Sequence, residues 1–403
     1  MRVLVLDGNE NQAVAAVRSL AAAGHEVHVA AETSWSKAGW SRFARSQTRY
    51  TAPQRDAGAF IADLVQAIAR HPGTLVLPMT ERTTLPISAE RQVLSAAHAR
   101  LVLPDHVTVL RAFDKSATTR LAESLGIAVP QTAVLCDGPN DESRALANRL
   151  AYPVVLKAAT SEEIDRQQRV RATGAPVYAR SAEEFTAAYS QISQRATRVL
   201  VQEFVSGAGA GYFALAAHGR VRAEFAHRRI RDVRPTGSGS AVRESAPLDA
   251  RLAAAGRQML EALAWHGPAM VEFRVRRDGS PVFLEVNGRF WTSLALAIHA
   301  GVDFPRLVAE LAEVGDVAPV ASYRTGVRCR WFLGDARHLL GVMRGRPRGY
   351  DGAFPSRLGT LRDVLLPVPG TKHDLWRWDD PAPELGDWLH FIFRRVPKHL
   401  SRR

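Results

Sequence analysis

The chain has 403 residues, of which 46% are hydrophobic and 23% charged, and it carries a formal net charge of +13. These values are typical of a globular protein with roughly two to four domains, and the lack of a run of about 18 apolar residues excludes a membrane-spanning helix. The two cysteines, Cys136 and Cys329, lie far apart without metal-ligand spacing, so a reducing, cytoplasmic setting is the simplest expectation.

The first part of the chain alternates short apolar runs with helical patterns. Strands are predicted over Val3–Leu6, Val27–Ala30, Thr74–Leu77 and Leu101–Leu103, and helices over Gln12–Ala23 and Phe60–Ala69. This order favours a small parallel α/β domain that ends near Val109. The loop after the first strand does not contain G-x-G-x-x-G, so the fingerprint of a dinucleotide-binding domain is absent. Asp7 follows that strand closely, which argues against a secretory signal peptide.

A second region begins at about Phe113 and mixes strand and helix signals. Asp114 is a favourable N-cap for a helix over Ser116–Leu125, and Ser181 is the predicted cap of a helix that runs to Ser193. The remaining predicted elements are strands over Pro130–Leu135, Pro153–Lys157, Val199–Val205, Tyr212–Ala217 and Val221–Ala226, and helices over Asp249–Ala264 and Trp291–Ala300.

The most informative stretch is a predicted hairpin near residue 280. Asp278-Gly279 lies between two apolar runs, which predicts a two-residue type I′ turn with positive φ at both positions. With that turn, Glu272 faces Glu285 on the neighbouring strand. Alternate residues of a strand share a face, so Asn287 lies on the same side as Glu285.

Two opposed carboxylates predict a metal site on this hairpin. Like charges directly opposite one another destabilise a sheet, and a divalent cation bound by oxygen ligands is the expected compensation. Arg289 has the same parity and is suited to hold a phosphate in bidentate fashion. The stretch therefore predicts a magnesium–phosphate site, and the alternative is an edge hairpin with two solvated glutamates.

Arginine provides nearly all of the positive charge, which makes the few lysines informative. They are Lys37, Lys115, Lys157, Lys372 and Lys398. A lysine is a compact point charge on a flexible stem, and Lys115 and Lys157 stand where nucleotide phosphates could be bound. The other three are interpreted as ordinary surface residues.

The order of these residues resembles the ATP-grasp ligases. Lys115 and Lys157 are followed by Gln202-Glu203-Phe204-Val205, then by Glu272, and then by Glu285-x-Asn287-x-Arg289. The likeness covers residues 1 to about 311 and is greatest with the carboxylate–amine ligase branch, including the ATP-binding domain of carbamoyl-phosphate synthase.

The resemblance implies a fold of the α/β and α+β classes. A Rossmann-like pre-ATP-grasp domain is expected over residues 1–110 and an ATP-grasp domain over residues 111–315. The latter would divide into an ATP-binding subdomain, 111–205, and a metal and substrate subdomain, 206–315. Residues 316–403 are predicted to form a basic extension rich in arginine and tryptophan.

The resemblance also implies a role for each matching residue. It assigns ATP binding to Lys115, Lys157, Gln202, Glu203, Phe204 and Val205, and metal binding to Glu272, Glu285 and Asn287. The implied metal is Mg²⁺, with Mn²⁺ as an alternative, and Arg289 would hold the transferring phosphoryl group.

Two places depart from the pattern of the family. Ala210 stands where many members have an acidic residue for the ribose hydroxyls. The loop expected to cover the phosphates is usually rich in glycine, whereas residues 161–169 contain none. This segment is interpreted either as an arginine-bearing lid or as an exposed helix.

A basic run lies between the expected hinge and the hairpin. Residues 227–231, His-Arg-Arg-Ile-Arg, follow a predicted strand and precede a loop rich in glycine and serine at 235–240. Such a run suits an anionic substrate or an acyl phosphate, so Arg228 and Arg229 are predicted to act in catalysis together with Arg289. The alternative is a solvated strand edge.

These features together predict an ATP- and Mg²⁺-dependent carboxylate–amine ligase with small-molecule acid and amine substrates. ATP would phosphorylate the acid, and the amine would displace phosphate from the acyl phosphate to form an amide. The alternatives are a kinase-like or carboxyphosphate-forming enzyme, and a nucleotide-binding scaffold on a membrane surface. No nucleic-acid recognition motif accompanies the basic charge, so sequence-specific nucleic-acid binding is not expected.

The C-terminal end leaves two interpretations open. Residues 388–395 are aromatic and then basic, and Pro397 and Lys398 follow them. Such a segment could lie weakly on an anionic membrane surface, or it could form a last helix that is docked on the protein. A homodimer formed through an edge of the first domain is also left open.

Overall fold

The computed structural model of the protein describes residues 1–237, 239–347, 353–366 and 368–395. The first part of the chain contains four strands and five helices. They are β1 (Arg2–Val5), α1 (Asn11–Ala22), β2 (Glu26–Ala31), β3 (Ser46–Arg49), α2 (Ala57–Ala69), β4 (Leu75–Leu77), α3 (Glu81–Ala89), α4 (Arg91–Ala96) and α5 (His106–Phe113). The strands form a parallel sheet in the order β3-β2-β1-β4. The parallel α/β arrangement predicted for this region is confirmed.

The strand predicted over Leu101–Leu103 is wrong. Only Arg100 forms a bridge with Leu75 of β4, and the chain then leaves the sheet. Two successive side chains of the predicted strand belong to different hydrophobic clusters, Val102 to one and Leu103 to another. Pro104 follows, and a proline cannot donate a hydrogen bond to a neighbouring strand.

The second region is built on an antiparallel sheet. Its elements are α6 (Lys115–Ser124), β5 (Thr132–Cys136), α7 (Asp141–Ala147), β6 (Val154–Ala158), β7 (Glu162–Ile164), β8 (Val170–Ala172), β9 (Val177–Ala179), α8 (Ala182–Ser193) and β10 (Arg198–Glu203). The strand order is β5-β10-β6-β9. Both predicted N-caps are confirmed, because the side chains of Asp114 and Ser181 accept hydrogen bonds from the first turns of α6 and α8.

Residues 161–169, for which a lid and an exposed helix were the two interpretations, contain no helix. They contribute to the two-stranded hairpin of β7 and β8. The carboxylate of Asp165 accepts from the backbone N–H groups of Gln167 and Arg169 at 2.8 and 3.0 Å, and this closes a turn where a helix would need to continue. The hairpin is tied to the first region, since Val170 N–H donates to the carbonyl of Pro53 at 2.8 Å.

The third region holds the largest sheet. Its elements are β11 (Ala208–Ala217), β12 (Arg220–Asp232), β13 (Ser240–Ser245), α9 (Ala250–Ala262), β14 (Gly267–Val275), β15 (Pro281–Asn287), α10 (Leu294–Ala300) and α11 (Phe304–Val314), followed by β16 (Arg328–Arg330), α12 (Phe332–Arg344), α13 (Arg357–Leu365), β17 (Lys372–His373) and α14 (Ala382–Arg395). The strand order is β15-β14-β11-β12-β13-β16-β17.

Two predicted boundaries in this region are wrong. The strand expected to end at Ala226 continues to Asp232 as β12, so the basic run lies within the strand and does not follow it. The helix expected from Trp291 begins at Leu294, because Trp291 is buried among the side chains of a hydrophobic cluster.

The two faces of the large sheet are covered by different hydrophobic clusters. Phe213 and Leu215 of β11 contact one cluster, which also contains residues of β1, β2 and α1. Tyr212 and Ala214 lie on the opposite face with residues of α5, α9 and β14. This is the alternation expected of a strand that is buried on both faces. It brings the loop between β1 and α1 to the same side of the sheet as the residues that follow β15.

The basic C-terminal part is joined to both the sheet and the first region. β16 pairs with β13, and β17 pairs with β16. Arg18 of α1 donates to Asp380 at 2.9 Å, and Lys37 donates to Asp387 of α14 at 2.8 Å. The described part of the last helix is therefore docked on the protein, whereas Pro397 and Lys398 lie outside the described residues. The predicted membrane contact and the division at residues 110 and 315 stay predictions.

None of the helices in the described ranges has the length and apolar character needed to span a bilayer.

Candidate active site

The hairpin of β14 and β15 places Glu272 opposite Glu285, as predicted, but a different turn joins the strands. Gly279 N–H donates to the carbonyl of Arg276 at 2.9 Å, and Arg276 N–H donates to the carbonyl of Ser280 at 3.0 Å. The loop between Arg276 and Ser280 is therefore one residue longer than predicted. The backbone φ is positive at Gly279, +79°, but not at Asp278, so the predicted type I′ turn is wrong.

A β-bulge at Leu284 restores the register that the longer loop would have shifted. Phe273 pairs with Phe283, and Glu272 pairs with Glu285, which leaves Leu284 as the extra residue on β15. A bulge reverses the alternation of side chains along a strand. As a result, Phe283 and Val286 both reach the core although Glu285, which stands between them, faces away from it.

Both glutamates line a cavity of about 280 Å³ between the second and third regions. The cavity walls contain all six residues predicted to bind ATP and both carboxylates predicted to bind metal. These are Lys115, Lys157, Gln202, Glu203, Phe204, Val205, Glu272 and Glu285. The amide of Asn287 donates to Glu285 Oε1 at 3.2 Å. The structure thus brings together, in one place, residues that are up to 172 positions apart in the sequence, from Lys115 to Asn287.

Two lysines meet the carboxylates in this cavity. Lys115 Nζ donates to the Ser161 hydroxyl at 2.8 Å and lies 3.5 Å from Glu285 Oε2. Burial lowers the pKa of Lys157, an effect that Glu285 opposes and Lys115 reinforces. Lys157 makes no hydrogen bond or ion pair within the described ranges, so its ammonium group is available to an anion.

The two glutamates have opposite pKa shifts although they face each other. Burial raises the pKa of Glu272, and the neighbouring Glu285 raises it further, while Arg229 opposes both effects. Burial also acts to raise the pKa of Glu285, but Lys115 and Lys157 outweigh it and hold that pKa well below its usual range. Glu285 is therefore the more acidic carboxylate of the pair, and Glu272 is the less acidic one.

The comparison with known proteins bears on this arrangement. Residues 195–334 match the family described as ATP-grasp in the biosynthetic pathway with Ter operon. Solved structures with a similar architecture include a biotin carboxylase from Campylobacter jejuni in complex with β,γ-ATP, which has 16% identity and a TM-score of 0.64 over 81% of this chain and 74% of that one. The chain has the ATP-grasp fold. No curated protein sequence matches it.

Two further ATP-grasp structures are similar to the chain. An L-amino acid ligase from Bacillus licheniformis has 16% identity and a TM-score of 0.59, over 77% of this chain and 74% of that one. The biotin carboxylase domain of the Hydrogenobacter thermophilus 2-oxoglutarate carboxylase, in complex with MgADP, ADP and bicarbonate, has 14% identity and a TM-score of 0.62 over 81% and 73%. The resemblance to the ATP-grasp superfamily that the sequence indicated is confirmed.

The residues of this candidate site fit the binding of Mg²⁺ together with a nucleotide. Within the described ranges, no group of three or more His, Cys, Asp or Glu side chains is placed to hold a metal ion. Mg²⁺ is usually held by one or two carboxylates plus substrate phosphates and not by a complete protein cage. Glu272 and Glu285, with the amide of Asn287, supply this incomplete set of oxygen ligands.

The three arginines predicted to act in catalysis lie in different places. Arg229 donates to Glu272 Oε1 at 3.3 Å, and Arg289 donates to Asn287 Oδ1 at 3.2 Å. Arg228 points to the opposite face of β12, because adjacent residues of a strand alternate, and it forms an ion pair with Glu244. The structure therefore brings Arg229 and Arg289 near the paired carboxylates but places Arg228 apart from them.

Sequence reasoning missed several residues near the site. Thr173 and Tyr178 line the cavity and had no signal in the sequence, whereas Ser161, which also lines it, lies in the segment expected to cover the phosphates. Lys37 was interpreted as a surface lysine, and this is wrong. It is 4% exposed, and its ammonium donates to Asn11 Oδ1 at 2.6 Å and to Asp387.

Proposed function

We propose that the protein is an ATP- and Mg²⁺-dependent carboxylate–amine ligase that forms an amide-type bond through an acyl phosphate. The observation that supports this proposal most directly is the opposed pair Glu272 and Glu285, which shares one cavity with two lysines. A pair of partly buried carboxylates at opposite positions of a hairpin is unfavourable. Its presence in the wall of this cavity fits a site that is completed by a cation and phosphates.

ATP would lie along the cavity from the hinge to the carboxylates. The N–H groups of Glu203 and Phe204 donate to the carbonyls of Gln131 and Pro153. The N–H of Val205 has no partner within the described ranges, so it is the candidate donor to the adenine edge. Phe204 and Tyr178 stand with their ring centroids 6.0 Å apart and would cover the base.

The phosphates would meet the two lysines at the other end of the cavity. Lys115 and Lys157 would neutralise phosphate oxygens, and Glu272, Glu285 and Asn287 would hold the metal. When bound, Mg²⁺ would neutralise the charge of the phosphates and fix their orientation. Phosphoryl transfer depends mainly on such positioning and charge neutralisation.

The chemistry then needs no nucleophile from the protein. A carboxylate oxygen of the acid attacks the terminal phosphorus of ATP, the bond to the bridging oxygen breaks, and ADP leaves. The amine nitrogen attacks the acyl carbon of the resulting acyl phosphate, and phosphate leaves. Arg289 and Arg229 lie beside the carboxylates and would stabilise the negative charge that builds on the phosphoryl oxygens.

The release of ADP and phosphate tests this proposal. Mg·ATP is supplied with a panel of small carboxylic acids and amino acids, with and without amines. A ligase requires both an acid and an amine for sustained release. Acid-dependent release without an amine would support the kinase-like alternative, and no turnover with nucleotide binding would support the scaffold. Glu285→Gln should abolish release, and Arg257→Gln, which removes an exposed guanidinium paired with Glu224, is the control.

A second candidate is an enzyme that forms carboxyphosphate from bicarbonate. It is supported by the similarity to two biotin carboxylases, one of them bound to bicarbonate. Their identities of 16% and 14% show a shared fold, and the substrate has to be tested. Bicarbonate-dependent ADP release from degassed, acid-free mixtures would favour this candidate over the ligase.

A further inference from the structure

A second cavity of about 240 Å³ shares no lining residue with the cavity that contains the paired carboxylates. Five parts of the chain contribute to it: the start of α1, the loop after β2, the end of β12 with the beginning of β13, the segment after β15, and the start of α12. Its lining includes Glu10, Lys37, Val233, Arg234, Trp331 and Arg337. Its volume suits a molecule of the size of an amino acid.

Glu10 is the acidic residue in this lining, and its carboxylate is not used by the fold. Glu10 is the N-cap residue of α1, but its side chain accepts no capping hydrogen bond. Within the described ranges it also has no other hydrogen bond or ion pair. Burial raises the pKa of Glu10, Lys37 opposes this, and Asp7 reinforces it. A partly buried carboxylate without a partner is unfavourable, so a ligand with an N–H group would supply the hydrogen bond that Glu10 lacks.

Arg289 connects this cavity with the proposed ATP site. Its guanidinium donates to Asn287 and lies 3.7 Å from Glu81 Oε1. It is close enough to Glu10 to lower the pKa of that carboxyl group. Thr292, three residues after Arg289, also lines the second cavity. The second cavity therefore adjoins the segment that follows Arg289, the residue proposed to hold the transferring phosphoryl group.

The other charged residues of the lining are basic. The charge of Lys37 is balanced by Asp387, and that of Arg243 is balanced by Asp374. Arg234 makes no ion pair within the described part of the chain and is exposed at the cavity rim. Its guanidinium is therefore available to a carboxylate of a ligand.

From this arrangement we propose that the second cavity binds the amine substrate, and that Glu10 is the general base that removes its proton. The proposal rests on the ligase function argued above. The amine would be one that also carries a carboxylate, with its nitrogen at Glu10 and its carboxylate near Arg234. Trp331 and Val233 would contact the apolar part of the molecule between these two ends.

The amine nitrogen loses two protons in this step, one to Glu10 and one to the departing phosphate. Glu10 takes one proton from the ammonium group, which frees the nitrogen lone pair. The lone pair forms the C–N bond while the C–O bond to phosphate breaks. The departing phosphate keeps that electron pair and takes the second proton from nitrogen. Glu10 then returns its proton to solvent before the next turnover.

Hydroxylamine separates this role from a structural one. It is largely unprotonated at neutral pH, so it can attack an acyl phosphate without a general base. In Glu10→Gln, amide formation with an amino acid should fall by a factor on the order of 100 or more. Hydroxamate formation from the same acid should stay within a factor of about three of wild type.

Two results with Glu10→Gln would overturn the general-base role, and one result with wild type would overturn the ligase function. An equal loss of amide and hydroxamate would overturn the general-base role, because the variant would then be defective before the amine step. Unchanged amide formation would overturn it as well. If wild type forms no hydroxamate with any acid and Mg·ATP, the ligase function itself fails, and this proposal fails with it.

The class of amine is tested separately with Arg234→Ala. The KM for an amino acid acceptor should rise about tenfold, whereas the KM for the corresponding amino acid amide, which has no carboxylate, should not change. Arg220→Ala is the control, since Arg220 is 71% exposed and lies 3.7 Å from Asp316. An equal rise for both acceptors would overturn the assignment of the carboxylate to Arg234.

Discussion

Glu272 and Glu285 face each other across the hairpin, although like charges at opposite positions destabilise a sheet. Lys115 and Lys157 stabilise the charge of Glu285, while Glu272 has Arg229 as its nearest cation at 3.3 Å. Residues that act on a bound ion are often unfavourable for the fold that carries them. The pair therefore links a cost in stability to a gain in metal binding.

This conflict predicts that Glu272→Gln stabilises the protein in EDTA at neutral pH. The pKa of Glu272 is raised by burial and by Glu285. The contribution of the Glu272 carboxyl group to the free energy of unfolding is therefore fully present below the ordinary carboxyl pKa, and it is lost as pH rises through the raised pKa. The variant should gain about 1 kcal/mol at pH 8 and nothing at pH 4. Urea denaturation over a pH series measures this difference.

Added Mg²⁺ provides the control for that experiment. A ligand that binds only the folded state stabilises it, so Mg²⁺ with ADP should raise the midpoint of wild type more than that of Glu272→Gln. A variant that is less stable than wild type at pH 8 in EDTA would show that the two carboxylates do not repel each other.

Arg228 and Arg229 form a natural pair for comparison because adjacent residues of β12 point to opposite faces. Arg229→Ala should reduce the affinity for Mg²⁺ about tenfold, since Arg229 lowers the pKa of Glu272 and its loss makes that carboxylate harder to ionise. Arg228→Ala removes an exposed side chain and its ion pair with the buried Glu244, which keeps its ion pair with Arg328, and should leave ATP turnover within about twofold. The Mg²⁺ dependence of ADP release checks both values, and equal effects would contradict the assignment of faces.

At the scale of single elements, the hairpin shows how far sequence reasoning reaches. The pattern of glutamates and the Asp-Gly pair predicted the correct partner for Glu272. The predicted turn was one residue too short, and the bulge at Leu284 was not foreseen. The two differences offset each other. The bulge depends on both Phe283 and Val286 finding places in the core, and that depends on contacts that the local sequence does not contain.

Removal of the bulge is a direct test of how the hairpin positions the site. Deletion of Leu284 would make the alternation regular, so either Glu285 or its neighbours must change face. We expect ADP release to fall at least a hundredfold and the protein to lose stability. Leu284→Ala keeps the chain length and therefore the bulge, and it should retain turnover within about tenfold. Full activity of the deletion variant would show that Glu285 does not need this register.

At the scale of the whole molecule, the C-terminal part completes the site region. Asp374, Asp380 and Asp387 pair with Arg243, Arg18 and Lys37, which belong to distant parts of the chain. The sequence predicted a basic extension because it shows net charge and not which charges are paired. The burial of Lys37 follows from contacts over 350 residues of sequence, and no local pattern around that lysine indicates it.

These buried pairs predict that the C-terminal part controls the second cavity more than the ATP site. Asp380 accepts hydrogen bonds from Arg18, from the hydroxyl of Ser41 at 2.7 Å and from Arg42 N–H at 2.9 Å. Asp380→Ala leaves the guanidinium of Arg18 buried without its carboxylate, which is expected to destabilise the protein by about 3–5 kcal/mol. Asp387, which binds Lys37 of the second cavity, belongs to the same C-terminal segment as Asp380. A shift of this segment would displace Lys37, so the KM for the amine should rise several-fold in this variant.

The ATP site provides the internal control for Asp380→Ala. Its residues lie between 115 and 287 and do not contact the segment at 380 within the described structure, so the KM for ATP should stay within about twofold. Thermal denaturation and steady-state kinetics with each substrate varied in turn measure the two effects. If the KM values for ATP and for the amine rise together, the C-terminal part supports the whole enzyme and not the second cavity. If the stability does not change, the carboxylate of Asp380 is not needed to balance the buried charge of Arg18.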